Sequence, residues 1–184
     1  DLALAGRPVM NGRRYGNLDQ SDAVQCLVAV YPPTDMYQLD LCDRTTAEDQ
    51  AAATDGNTVR GDTGEKGMGK MHNQLMGVSC MDNPEIAATA SPIKFVNGDF
   101  PPAYFLQGVQ DRIIPYTQSV SMVRMINEQC GEGHAELKLF PNADHGAAEM
   151  KTDDEIDVIL DFIDRHIWEG EHARTPLPKE IALL

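Results

Sequence analysis

The sequence predicts an α/β fold with a mostly parallel sheet flanked by helices, and two observations carry this prediction. Three short apolar segments have the composition of buried strands: Val24–Tyr31, Ala103–Leu106 and Ala135–Phe140. Two longer segments, Gln118–Cys130 and Asp153–Trp168, have helical periodicity and alternate with the last two strands. Strands that are apolar along most of their length and alternate with helices are typical of parallel sheets, whose two faces are both covered.

Each predicted strand is bounded by proline, which cannot donate a hydrogen bond to a sheet ladder. The first segment, V-Q-C-L-V-A-V-Y, contains β-branched residues, ends at Pro32-Pro33, and is apolar enough to be buried on both faces. The second, A-Y-F-L, follows Pro101-Pro102, whereas the third, A-E-L-K-L-F, alternates in polarity and ends before Pro141.

The two predicted helices have recognisable ends and apolar faces. Helix 118–130 ends at Gly131 and Gly133. Two faces fit its periodicity, one with Val120, Val123 and Ile126 and the other with Met122, Met125 and Ile126. Helix 153–168 begins with acidic residues, which the helix dipole favours. Its predicted buried face consists of Ile156, Ile159, Leu160, Ile163 and Ile167.

The charge of the chain limits its partners. Its 184 residues suffice for one domain of ordinary size or a large part of a bigger one. It carries 15 Lys and Arg against 29 Asp and Glu, for a net charge of -14. Such a surface repels nucleic-acid phosphates and anionic lipid, so we expect neither nucleic acid nor a membrane as a partner.

We expect no metal site and no cofactor. The histidines lack H-E-x-x-H spacing, and the cysteines form no C-x-x-C pair and are predicted to be reduced thiols (Cys26, Cys42, Cys80 and Cys130). Gly64–Lys70 satisfies the G-x-x-x-x-G-K pattern of a phosphate-binding loop. However, Met71 replaces the Ser or Thr that would hold magnesium and no apolar strand precedes the pattern, so we reject nucleotide binding.

One stretch, Asp43–Lys70, differs from the rest of the chain. It is polar, rich in Gly, Thr, Asp and Ala, and has almost no periodic apolar face. Because it is longer than most connections between elements, we expect a lid-like insertion, with a solvated excursion as the alternative.

Two residues that could carry chemistry each follow a predicted strand. Asp111 comes after Ala103–Leu106, in G-V-Q-D-R-I-I-P, and His145 comes after Ala135–Phe140, in P-N-A-D-H-G. In open parallel sheets, functional groups gather at the carboxyl ends of the strands. An acid at this edge could orient an imidazole that acts first as general base and then as general acid.

Two other acids compete with Asp111 for this role. Asp35, in P-P-T-D-M, also follows a strand, but an Asp at such a position is well suited to cap a turn or a helix. Asp144 is adjacent to His145, and neighbouring side chains on a loop point in different directions. We therefore prefer Asp111 as the orienting acid.

Five segments follow one another in an order that is specific in combination. They are V-Q-C-L-V-A-V-Y-P-P-T-D-M (24–36), Q-L-M-G (74–77), A-S-P-I (90–93), P-P-A-Y-F-L-Q-G-V-Q-D-R-I-I-P-Y-T-Q-S (101–119) and N-A-D-H-G (142–146). Together they resemble the α/β-hydrolase superfamily, in particular its carbohydrate-esterase and feruloyl-esterase-like branch of small esterases and lipases. The resemblance implies that Asp111 is the acid and His145 the histidine of a catalytic triad.

The chain departs from this family at the nucleophile. These enzymes place a serine in G-x-S-x-G, before the acid and the histidine. None of the five serines has this motif, and Ser79 in G-V-S-C-M comes nearest but lacks the second glycine. In the family, a sequence similar to Asp1–Gly6 directly follows the nucleophile. The resemblance therefore implies that the serine lies just upstream of Asp1.

The resemblance therefore implies that residues 1–184 form the C-terminal portion of one α/β-hydrolase domain, with an upstream segment of the same protein completing the sheet. We expect the complete protein to be a serine carboxylic-ester hydrolase that works through an acyl-enzyme. Its substrates would be small molecules, short acyl or aryl esters including those of carbohydrates, and this chain alone would be inactive. The alternative is a degenerate, non-catalytic hydrolase-fold module that binds a partner.

Overall fold

A computed structural model describes residues 23–41 and 71–167. The predicted insertion Asp43–Lys70, the pattern Gly64–Lys70 within it, the segment Asp1–Gly6 and Cys42 lie outside the described residues. Within the two described ranges, no helix is long and apolar enough to cross a bilayer.

The described strands form one parallel sheet in the order β1-β2-β3. They are β1 (Leu27–Val30), β2 (Ala103–Gly108) and β3 (Ala135–Phe140). Ala103 pairs with Leu27 on one side and with Ala135 on the other, so the three strands start level and point the same way. This sheet, flanked by helices, confirms the predicted fold class.

The strands differ in burial. All six residues of the central strand β2 are buried. β1 and β3 are only partly buried, so the prediction that the first strand is buried on both faces is wrong for the described residues. The reason is that β1 is an edge strand there, with a neighbour on one side alone.

The two described ranges contain five α-helices. α1 occupies 36–41 of the described residues. α2 is Met71–Met76, and α3 (Pro84–Thr89) precedes a 3-10 turn at Pro92–Phe95. α4 (Thr117–Cys130) follows β2, whereas α5 (Asp153–Ile167) follows β3 after a 3-10 turn at Ala148–Lys151.

Helices α4 and α5 cover opposite faces of the sheet. They pack against two consecutive residues of β2, and successive side chains of a strand point to opposite faces. Phe105 packs with Met122 and Ile126 of α4, and Tyr104 packs with Phe162 of α5. Of the two faces that the periodicity of α4 allowed, the structure buries the one that contains Met122 and Ile126.

The predicted buried face of α5 is partly wrong. Ile156 and Ile167 are 44% and 45% exposed, while Glu155 and Phe162 are buried. The rotation of α5 follows from Phe162, whose ring stacks on Tyr104 at 5.5 Å between centroids. Glu155, two helical turns earlier on the same face, accepts the hydroxyl of Tyr104 at 3.3 Å.

Candidate active site

The loops that follow β2 and β3 are joined by backbone hydrogen bonds. The N–H of Val109 donates to the carbonyl of Phe140, and the N–H of Gln110 donates to the carbonyl of Ala143, both at 3.0 Å. Since the strands are parallel, both loops leave the same edge of the sheet. The candidate acid and the candidate histidine lie on these joined loops.

Gly108, the last residue of β2, allows the two loops to approach. A Cβ atom added at this position would lie 2.3 Å from the carbonyl oxygen of Ala143 and 2.9 Å from its carbonyl carbon. Side chains do not come this close to backbone atoms, so only glycine lets the loop after β3 pack against the end of β2.

Asp111 and His145 are in direct contact. The Oδ2 atom of Asp111 lies 2.8 Å from Nδ1 of His145, which is a short hydrogen bond. The side chain of Asp111 is fully buried, whereas that of His145 is 27% exposed. When Nδ1 donates its proton to the carboxylate, Nε2 of the neutral imidazole has a free lone pair and can act as a base.

The carboxylate of Asp111 is held by three further donors. Its Oδ1 atom accepts the backbone N–H groups of Ile113 and Ile114, both at 2.8 Å. Its Oδ2 atom also accepts Nε2 of Gln107 at 2.9 Å. These donors stabilise the anion and fix its plane, so Asp111 can orient the imidazole and stabilise its positive form.

Gln107 links this acid to α4, and our sequence analysis missed it. Its Oε1 atom accepts the hydroxyl of Ser119 at 2.9 Å, and its Nε2 atom also donates to the carbonyl of Ile114 at 3.1 Å. Gln107 and Ser119 are both fully buried. A glutamine inside an otherwise apolar strand, four residues before a candidate acid, is the signal that could have revealed this support.

Asp144, one of the two competing acids, has different partners. Its Oδ1 atom accepts the backbone N–H of His145 at 2.8 Å, and its Oδ2 atom accepts the Arg112 guanidinium from Nε at 2.8 Å and from Nη2 at 2.5 Å. These hydrogen bonds, that of the Arg112 side chain above all, lower the pKa of Asp144 to about 2. The ion pair joins the residue after Asp111 to the residue before His145, so it bridges the two loops.

Asp35, the other competing acid, caps a helix. Its Oδ1 atom accepts the backbone N–H of Gln38 at 3.1 Å, in the first turn of α1. This is the capping role that the sequence predicted.

No serine or cysteine among the described residues donates a hydrogen bond to His145. Three serine hydroxyls donate instead to other acceptors: Ser79 to Asp40, Ser91 to the carbonyl of Ala87, and Ser119 to Gln107. Burial, with the charge of Asp40, raises the pKa of the Cys80 thiol, which makes it a poor nucleophile.

Tyr31, the residue after β1, also contacts the site and was missed by our sequence analysis. Its ring centroid lies 4.2 Å from that of His145, with the planes tilted by 54°. Among residues 23–41 and 71–167, it alone has a positive φ without being glycine. Across the same residues, no group of three or more His, Cys, Asp and Glu side chains is arranged to hold a metal ion.

Solved structures with the α/β-hydrolase fold resemble this chain. A bifunctional GH43-CE protein of Bacteroides eggerthii superposes with a TM-score of 0.63 at 21% identity, covering 90% of this chain and 22% of its own. A truncated carbohydrate esterase from gut microbiota gives 0.59 at 21% identity, covering 89% and 54%. A thermophilic esterase of Thermogutta terrifontis with bound propionate gives 0.54 at 15% identity, covering 91% and 53%. These likenesses show the shared fold.

Sequence comparisons agree with the structural ones. Esterase LipQ of Mycobacterium tuberculosis is 29% identical over 86 residues, which is 45% of this chain and 20% of LipQ, so the chain spans about a fifth of this curated relative. The sequence model of the BD-FAE family matches residues 9–126, more than half of the chain, including Asp111. The chain therefore belongs to the BD-FAE family.

Proposed function

We propose that this chain supplies the general base, His145, and its orienting acid, Asp111, to a serine carboxylic-ester hydrolase. The hydrogen bond of 2.8 Å between Asp111 Oδ2 and His145 Nδ1, at the carboxyl ends of adjacent parallel strands, carries the proposal. Relatives named as esterases and carbohydrate esterases support the reaction class. The proposed substrates are short acyl or aryl esters, including those of sugars.

In the proposed reaction, Nε2 of His145 takes the proton of a serine hydroxyl while the serine oxygen bonds to the ester carbonyl carbon. Asp111 stabilises the resulting imidazolium without taking a proton itself. The imidazolium gives its proton to the alcohol oxygen as the ester C–O bond breaks, which leaves an acyl-enzyme. A water molecule then attacks the acyl group with the help of the same base, and the acid and the free serine are released.

We propose that the nucleophilic serine precedes Asp1, on a G-x-S-x-G turn. In α/β-hydrolases the triad follows the order serine, acid, histidine, and here the acid is Asp111. The partners of Ser79, Ser91 and Ser119 support this placement, because each of these hydroxyls is committed away from His145. The same upstream segment would complete the sheet beside β1.

The test is hydrolysis of a short-chain aryl ester, such as 4-nitrophenyl acetate, by the full-length protein. His145→Ala should lower kcat about 10³-fold or more, and Asp111→Asn should lower it by a similar factor. Asp144→Asn is the matched control, since asparagine still accepts the backbone N–H of His145. This control should stay within about tenfold of wild type because the exposed ion pair is weak.

Two outcomes would count against the proposal. Near-full activity in Asp111→Asn, with a large loss in Asp144→Asn, would transfer the orienting role to the neighbouring acid. A folded full-length protein that hydrolyses neither aryl esters nor acetylated sugars would support the non-catalytic binding module instead.

A further inference from the structure

Tyr31 lies between strand β1 and the proposed base. Its ring packs on the imidazole of His145 at 4.2 Å between centroids. Its hydroxyl reaches the next residue of the loop, because a Cβ atom added at Gly146 would lie 3.6 Å from the Tyr31 hydroxyl oxygen. The ring therefore covers both His145 and the glycine that follows it.

The backbone of Tyr31 adopts an unfavourable conformation. Its φ is 44°, in the left-handed region that favours glycine. A non-glycine residue persists there only where the surrounding structure enforces it, and such residues cluster at functional sites. Tyrosine is therefore found where glycine would fit the backbone better, which indicates that its side chain has a role.

Hydrogen bonds on both sides of Tyr31 hold this conformation. Its own N–H donates to the carbonyl of Leu106 at 2.8 Å. Three and four residues later, the N–H groups of Thr34 and Asp35 donate to Oε1 of Gln118 at 2.9 and 2.8 Å. The turn after β1 is thereby fixed to β2 and to α4, so the ring is presented to His145 from a rigid support.

We propose that Tyr31 is a positioning residue for His145, an inference that rests on the proposed function. The ring blocks rotation of the imidazole about its Cβ–Cγ bond, which keeps Nδ1 on Asp111 and leaves Nε2 for the reacting oxygens.

Two variants separate the ring from the backbone. Tyr31→Phe keeps the ring and removes the hydroxyl. Tyr31→Gly removes the ring and relieves the positive φ, so it is the truncation least able to disturb the backbone. Both would be made in the full-length protein, with thermal unfolding to show that each variant is folded.

The first readout is the NMR signal of the His145 Nδ1 proton, which reports the bond to Asp111 and needs no esterase activity. We expect Tyr31→Phe to keep this resonance, and Tyr31→Gly to exchange the proton with water about tenfold faster or to lose the signal. An unchanged exchange rate in Tyr31→Gly would overturn the inference. So would an equal loss in both variants, because the hydroxyl rather than the ring would then be responsible.

The second readout is ester hydrolysis. Tyr31→Gly should lower kcat about tenfold or more with KM nearly unchanged, since misorientation of a catalytic group acts on the chemical step. Tyr31→Phe should stay within about twofold of wild type. If the wild-type protein hydrolyses no ester, the proposed function fails while the NMR result still decides the positioning role.

Discussion

Two carboxylates are buried beside strand β2, and they differ in what binds them. Asp111 is hydrogen-bonded to the ring of His145, whose side chain is 27% exposed and whose other ring nitrogen is available to act as a base. Glu155, in the first turn of α5, accepts the hydroxyl of Tyr104 and the ammonium group of Lys138. Neither partner of Glu155 is a histidine, and burial, with the charge of Glu155, raises the pKa of Tyr104 to about 12.

Burial of a carboxylate therefore does not by itself indicate catalysis. Glu155 sits where the dipole of α5 favours a negative charge, and its partners hold α5 against β2 and β3. Asp111 holds an imidazole, the side chain most often used for general acid–base catalysis, and this ring is partly exposed. The partner of the carboxylate, rather than its depth, separates a structural acid from a candidate catalytic one.

The largest expected effects come from exchanging the two acids for their amides. Asp111→Asn should lower kcat about 10³-fold or more while the protein remains folded. Glu155→Gln should leave the kcat of the folded protein near wild type and lower the free energy of unfolding by about 1–3 kcal/mol. Ester hydrolysis and denaturant unfolding of both variants check this. Loss of activity in a fully folded Glu155→Gln protein would contradict the distinction between a catalytic Asp111 and a structural Glu155.

The next largest effect is expected at Gly108, where the loops that carry Asp111 and His145 approach each other. Gly108→Ala should push the loop after β3 away and lower kcat about 10²-fold, because a displacement of about 1 Å is enough to cost that much. Gly98→Ala is the matched control, since its new Cβ would lie 3.7 Å from the nearest atom, the carbonyl oxygen of Gln129. Equal activity in the two variants would contradict the close approach.

A smaller effect is expected at the ion pair between Arg112 and Asp144. Arg112→Gln should lower kcat only about two- to fivefold, because exposed ion pairs contribute little and the backbone hydrogen bonds between the loops remain. Kinetics at low and high salt check this. The difference in kcat between the wild-type protein and Arg112→Gln should shrink at high salt, where the exposed charges are screened. A difference in kcat that does not change with salt would count against an electrostatic role for this ion pair.

The smallest effect at neutral pH is expected for Tyr104. Its pKa is raised in the folded protein from 10.0 to about 12, so the neutral phenol stabilises the fold below pH 10, and this contribution is lost as the pH rises towards 12. Tyr104→Phe should flatten the fall in stability between pH 10 and pH 12. Denaturant unfolding at pH 8 and pH 11 measures the difference. An identical fall in both proteins would contradict the assigned shift.

Much of this arrangement could be predicted from local sequence. Strand β3 and helix α4 lie within a residue of their predicted bounds, because alternation, prolines and terminal glycines are local signals. The proximity of Asp111 and His145 also followed from local features, since each lies in the loop that follows a strand of one parallel sheet. A shared edge then brings residues 34 positions apart into contact.

Other features depend on contacts between distant segments. The buried face of α5 was mispredicted because Glu155, a charged residue, is buried by Tyr104 and Lys138, which belong to two different strands. The positive φ of Tyr31 is likewise enforced by neighbours far along the chain, Leu106 and Gln118. Neither the burial of Glu155 nor the positive φ of Tyr31 leaves a periodic pattern in the sequence, so only the folded structure reveals these two features.

The most direct test of the proposed pair of Asp111 and His145 is serine-directed labelling of the full-length protein with an organophosphate, which reacts far faster with an activated serine hydroxyl than with an ordinary one. The wild-type protein should be labelled once, on a serine before Asp1, and His145→Ala should slow labelling about 10³-fold. Labelling of His145→Ala at the wild-type rate would contradict the proposed site. So would an adduct on any of the five serines of residues 1–184 (Ser21, Ser79, Ser91, Ser119 and Ser121).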